Sequence, residues 1–259
     1  MPKSSGTKKK KGIQIMSLTD NVAIPRKTMV LFFVVDTSGS MEGAKIGAVN
    51  SAIEEIIPEL KNLSDANADA QIKIAVLEFS SGARWLTPNG PVEAENYMWR
   101  DINASGVTDF GDACIKLNEK LSTKGFMQEA TGSFAPAIFL MSDGAPTDDY
   151  KTGLDKLKQN NWFKKAVKVS VAIGDDADKD ILAEFTGSNE AVVVAHNPAI
   201  LKKMIRFVSV TASQVASKNA NVGSSEGGDS KQAALIEGLN NFKVEEATSA
   251  DAGGDDDWS

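Results

Sequence analysis

The sequence predicts an α/β fold: a doubly wound, mostly parallel central sheet with one short antiparallel edge strand and helices on both faces. Three observations carry this. The apolar run MVLFFVV at 29–35 stops abruptly at Asp36, Thr37, Ser38, Gly39 and Ser40, and a strand apolar on both faces belongs inside a parallel sheet. A second run, at 135–141, stops at Ser142, Asp143 and Gly144. Around them, segments of helical apolar spacing alternate with strand-like ones, which is how strand–helix–strand units read.

The elements follow in order. Residues 1–27 form a basic leader with Lys8, Lys9, Lys10 and Lys11 in a row, read as a solvated, flexible arm. Met16 is an alternative start. After the first strand, Ile46, Val49, Ile53, Ile56, Ile57 and Leu60 recur at helical spacing and predict a helix over 42–60, with Pro58 loosening its last turn. Residues 62–70 read as a loop and 71–79 as a second central strand. Residues 83–86 read as the edge strand, followed by a Pro88-Asn89-Gly90-Pro91 turn.

Phe110, Ala113, Cys114, Leu117 and Leu121 line one face of the next helix, so Gly106, Val107 and Thr108 form the loop entering its amino terminus. Cys114 on that face reads as a small buried apolar residue. The strand at 135–141 precedes a helix over 151–161, a strand over 166–173, a short helix over 179–185 and a strand over 191–194. Asn197 then caps a helix with Pro198 in its first turn, running to 217. The folded domain is expected to span 28–217. Residues 218–259 turn to Gly, Ser, Asn and Asp and read as an acidic, mostly disordered tail with a weak helical patch at 233–242.

Composition narrows the function. A net charge of -7 over 259 residues argues against a nucleic-acid surface. The single cysteine, Cys114, excludes an intrachain disulfide. No apolar run approaches the roughly 20 residues that span a bilayer, and the leader lacks the apolar core of a signal peptide. A cytoplasmic protein without membrane contact is expected.

Three separated loops carry oxygen donors: Asp36, Ser38 and Ser40 after the first strand, Thr108 before a helix, and Asp143 after a later strand. In a doubly wound sheet such loops converge beyond the carboxyl ends of the strands. Two carboxylates and small hydroxyls suit a hard divalent cation and not zinc or copper. Mg2+ is the expected metal, with Mn2+ or Ca2+ as substitutes, one ion per chain. Other acidic positions read differently. Asp175, Asp176 and Asp178, like Asp148 and Asp149, precede helices and read as caps. His196, the only histidine, stands beside a cap and has no evident catalytic partner. Trp85 and Trp99 flank rim loops and read as packing residues or partner contacts.

The D-x-S-x-S string with Thr108 and the Ser142-Asp143-Gly144 aspartate resembles the von Willebrand factor A domain and its metal-ion-dependent adhesion site, over about residues 28–216. The resemblance implies that Ser38 and Ser40 coordinate the metal directly and that Asp36 and Asp143 bind directly or through waters. It further implies that Thr108 engages as a partner docks. Within that family, the segments MVLFFVVDTSGSM and LMSDGAPTDDY are most similar to the bacterial tellurite-resistance TerY group. That likeness implies kinase-like or phosphatase-like partners in a stress response.

The expected function is therefore a non-enzymatic protein-binding module whose metal receives an Asp or Glu from a partner. The protein's own Asp255, Asp256 and Asp257, on a flexible tether, are a rival ligand. A haloacid-dehalogenase-like hydrolase is the first alternative; it needs a second Asp where Ser38 stands. An adaptor subunit of an ATPase or metal-chelatase complex is the second, since no nucleotide-binding loop motif occurs.

Overall fold

Strand β1 (Lys27–Asp36) becomes the centre of the sheet because Met29 through Val35 are all apolar and all find cover. Met29, Leu31, Phe33 and Val35 point into one apolar cluster, and Val30, Phe32 and Val34 into another on the opposite face. This is the period-two alternation of a strand buried on both sides. The protein is described from a computed structural model covering residues 26–128, 132–174, 176–217 and 227–250. Most of the basic leader, Asp175 and the terminal Asp255, Asp256 and Asp257 lie outside the described residues.

The remaining strands are β2 (Ala70–Ser80), β3 (Gly82–Trp85), β4 (Val92–Glu93), β5 (Ala137–Ser142), β6 (Val167–Ile173) and β7 (Val192–Ala195). The sheet order is β3-β2-β1-β5-β6-β7, with β4 also paired to β2. The pairings along β2-β1-β5-β6-β7 are parallel. The antiparallel edge comes in two pieces along β2: β3 faces Leu77–Ser80 and β4 faces Lys73 and Ile74. Between them the expected Pro88–Pro91 turn leaves the sheet. The chain therefore winds one way from β1 to β2 and the other way from β5 to β7. The switch point lies between the carboxyl ends of β1 and β5, where open α/β sheets place their ligands.

The helices are α1 (Ala44–Ala66), α2 (Phe110–Lys120), α3 (Tyr150–Gln159), α4 (Asn161–Lys165), α5 (Lys179–Thr186), α6 (Pro198–Ser217) and α7 (Gly227–Ala250). Helices α1, α6 and α7 cover one face of the sheet, while α2 to α5 cover the other. Asn197 caps α6 as expected, accepting the Ile200 amide at 2.9 Å.

Two expectations are corrected. Helix α1 begins later and ends later than 42–60: Gly39–Met41 form a short 3-10 turn, and the helix then runs through Pro58 to Ala66. Proline removes one backbone donor, but the following turns are held by tertiary contacts. Leu60 and Ser64 are buried, Ser64 Oγ accepts the Ile72 amide at 3.0 Å, and Arg26 donates to the Ser64 carbonyl. The second correction concerns the tail, of which 218–226 and 251–259 lie outside the described residues: 227–250 form helix α7, well beyond the expected patch at 233–242. Leu235 and Leu239 are fully buried, and Phe242 stacks on Phe207 at 4.9 Å. The Gln232 amide pairs with both backbone groups of Lys168 at 2.9 Å, standing in for a neighbouring strand where β7 does not reach. A narrow apolar stripe and one amide hold this helix, which a window of hydropathy does not register.

Candidate metal centre

The site is built where β1 and β5 end side by side. Asp36 closes β1 and is fully buried. Its Oδ1 accepts the Ser38 amide at 2.8 Å and its Oδ2 accepts the Ser142 hydroxyl at 2.6 Å, so the carboxylate bridges the two strand ends. The Ser38 and Ser40 hydroxyls lie 3.0 Å apart, and Ser40 donates to Asp143 Oδ1 at 2.7 Å. Asp36, Ser38, Ser40 and Asp143 thus belong to one polar cluster, linked through side chains and the Ser38 backbone, and its members come from segments more than a hundred positions apart.

The Thr108 loop is bound to the same turn through backbone. Gly39 donates to the Gly106 carbonyl at 3.0 Å, and Ser105 donates to the Thr37 carbonyl at 2.8 Å. Gly106 has φ +84°, and a Cβ there would fall 2.5 Å from Ser81 Oγ, so only glycine fits this crossing. Thr108 is buried and exchanges two hydrogen bonds with Thr147: its amide donates to Oγ1 at 3.0 Å and its carbonyl accepts the Thr147 amide at 2.9 Å. Thr108, Ser142 and Gly144 line the same small depression. The Thr108 hydroxyl has no hydrogen-bond partner among the described residues.

Electrostatics separate the two carboxylates. Asp36 receives only neutral donors, and burial pushes its carboxyl above the ordinary carboxylate range, against the opposing effect of the Ser142 and Ser38 hydrogen bonds. Asp143 has a cation: Lys45 Nζ lies 2.5 Å from its Oδ2. No cluster of three or more His, Cys, Asp or Glu side chains occurs among the described residues. The site's donors are instead two carboxylates and hydroxyls, a set that fits an oxygen-seeking divalent cation with waters completing its shell. A carboxylate buried without a counter-charge, as Asp36 is, fits that reading too.

Two members of the network carry no signal in residue spacing. Ser142 directly precedes Asp143 and reads as a turn residue, although it supplies the bond that ties Asp36 to β5. Lys45 lies in the first turn of α1, where an amphipathic pattern simply places it on a solvent face.

The other acidic positions behave as caps or ties. Asp178 caps α5 through the Ile181 amide at 3.2 Å. Asp148 accepts the Gly111 and Asp112 amides at the start of α2, so it caps the neighbouring helix and not its own. Asp149 precedes α3 and binds the Thr152 hydroxyl at 2.7 Å. Trp85 packs edge-on against Phe126 at 4.8 Å and Phe32 at 6.1 Å, and Trp99 donates to Asn50 at 3.2 Å, so both support the rim from beneath. Cys114 is buried, and burial raises its thiol pKa. His196 is exposed beyond β7.

A mostly parallel sheet with this switch point and this strand-end network defines a class of doubly wound α/β domain. The von Willebrand factor type A domain model matches residues 31–207, and the chain belongs to that family. Domains of this family commonly mediate protein–protein interaction through a divalent-metal adhesion site and are typically non-enzymatic. Among curated proteins, the chain is 26% identical over 172 residues to inter-alpha-trypsin inhibitor heavy chain H2 of Homo sapiens, covering 62% of this chain and 17% of that protein. It is 30% identical over 146 residues to heavy chain H4 of Sus scrofa, covering 53% and 14% respectively. The chain therefore spans under a fifth of the length of these relatives.

Solved structures show the same fold. The pilus adhesin SpaC of Lactobacillus rhamnosus GG superposes with TM-score 0.57 at 13% identity, over 73% of this chain and 31% of that one. The proximal thread matrix protein 1 of the mussel byssus, with a zinc-occupied metal-ion-dependent adhesion motif, gives 0.51 at 15% identity over 70% and 48%. No helix among the described residues is long and apolar enough to cross a membrane.

Proposed function

We propose that this chain is a non-enzymatic binding module in which Asp36, Ser38, Ser40, Thr108 and Asp143 hold a Mg2+-type cation that receives an Asp or Glu of a protein partner. The observation that supports this most is Asp36, a fully buried carboxylate bonded only to a backbone amide and a hydroxyl. A divalent ion at that point supplies the missing counter-charge and, by keeping an open position, attracts a further carboxylate. Ser38 and Ser40 offer hydroxyls to the ion, Asp143 offers the oxygen that now accepts from Ser40, and Thr108 holds an unengaged hydroxyl on a loop bonded to the same turn.

Mn2+ and Ca2+ suit the same oxygens. The zinc held by the mussel protein argues for testing Zn2+ as well, against the preference drawn from donor type alone. The finer assignment, to a cytoplasmic, tellurite-resistance-like stress system with kinase-like or phosphatase-like partners, rests on the likeness of residues 29–41 and 140–150 to that group. Ser38 in the place of a second aspartate weighs against phosphoryl transfer.

The test is capture of partners from the native cell lysate by the full chain in Mg2+, in EDTA, and with Thr108→Ala in Mg2+. A partner held only by the wild type in Mg2+ is expected. The same partner retained in EDTA would remove the metal-bridged mechanism.

A further inference from the structure

We infer that Lys45 is a built-in counter-charge of the metal centre, weakening its hold on the cation while strengthening the loaded site's pull on a partner's carboxylate. This rests on the proposed function above. Lys45 is the second residue of α1, and a cation in the first turn of a helix opposes the helix dipole. Its position there is therefore set by something other than the helix. Its ammonium lies 2.5 Å from Asp143 Oδ2, with the Lys45 side chain 21% exposed and the Asp143 side chain fully buried. Beside it stands Gly174, the residue that follows β6, where an added Cβ would lie 3.5 Å from Lys45 Cε. The lysine stem thus runs through a slot between the α1 start and the β6 end.

The division of Asp143 between its two oxygens is what makes the role specific. Oδ2 takes Lys45, while Oδ1 takes the Ser40 hydroxyl at 2.7 Å. The lysine therefore need not leave for the Ser40 side to serve a cation. Counting charges then changes the picture of the loaded site. Asp36 and Asp143 alone would neutralise a divalent ion. With Lys45 included, the site carries one net negative charge before the ion binds and one net positive charge after. In a buried setting a whole unit of charge at this range is a strong bias. It acts against the incoming cation and in favour of the incoming carboxylate, so one residue trades metal affinity for partner affinity.

The experiment uses the full chain and three variants: Lys45→Met, which keeps the stem and removes the charge, Lys45→Gln as a second neutral form, and Lys45→Arg, which keeps the charge. Calorimetric titration with Mg2+ alone should show both neutral variants binding roughly tenfold tighter than wild type, with Lys45→Arg close to wild type. Sodium acetate titrated into the Mg2+-saturated, 15N-labelled proteins, followed at the Gly39 and Gly144 amides, should bind the neutral variants roughly tenfold more weakly. Neutral variants that bind Mg2+ no tighter than a wild type that does bind it would overturn the role of Lys45 and leave the metal centre standing. Acetate affinity unchanged or raised in those variants would overturn the charge trade. A wild type that binds neither Mg2+ nor Mn2+ would overturn the metal centre itself, and this inference with it.

Discussion

The carboxyl ends of β1 and β5 and the carboxyl end of β6 present the same residues to the sequence reader, an apolar strand followed by aspartates and small residues, yet they do different work. At the first, Asp36 and Asp143 join a network with Ser38, Ser40 and Ser142 that spans two strands. At the second, Asp176 is exposed and Asp178 turns back to cap α5 through the Ile181 amide. The difference follows from winding. Connections leave β1 and β5 in opposite directions and open a crevice between them, whereas β6 continues to β7 in one sense and its loop closes directly onto a helix. An aspartate after a strand is a site candidate where the connections on either side of it leave in opposite directions.

Several substitutions sharpen that contrast, beginning with the largest. Asp143→Ala should lower Mg2+ affinity by on the order of a hundredfold, because it removes a donor and leaves Lys45 beside the ion; calorimetry reads the loss. Ser142→Ala should weaken Mg2+ by roughly tenfold, since Asp36 would lose the donor that orients its Oδ2, with the fold retained by circular dichroism.

Asp36→Asn should raise the stability of the metal-free protein by about 1–2 kcal/mol in denaturant unfolding, as a neutral amide fills a place where an ionised carboxylate lacks a counter-charge. The pH dependence follows from the raised carboxyl. Below the usual carboxylate range Asp36 is protonated in both the folded and unfolded states, and no penalty applies. As pH rises through its elevated folded value, metal-free stability falls, and Asp36→Asn removes that decline. Asp178→Ala, the smallest change, should reduce stability by about 1 kcal/mol through the lost cap and leave Mg2+ affinity unaltered.

Much of this was legible in the residues themselves. β1 and β5 announce themselves because both faces are apolar; the D-x-S-x-S turn and Asp143 follow from where those strands end, and Thr108 from where α2 begins. The parts of the strand-end network that escaped are those whose signal is a bond and not a pattern. Lys45 has the sequence environment of a solvent-facing helix residue, and only its approach to Asp143 assigns it to the site. Ser142 is concealed by the turn chemistry it shares with its neighbours. In α7, Gln232 anchors the helix through backbone hydrogen bonds, which no apolar period reports. The continuation of α1 past Pro58 likewise depends on bonds from Arg26 to the Ser64 carbonyl and from the Ile72 amide to Ser64 Oγ.

The most direct test of the metal centre is a side-by-side calorimetric titration of wild type, Asp36→Ala and Asp178→Ala with Mg2+. One ion per chain is expected for wild type and Asp178→Ala, and no measurable binding for Asp36→Ala with its fold intact. Undiminished Mg2+ affinity in Asp36→Ala would contradict the metal centre.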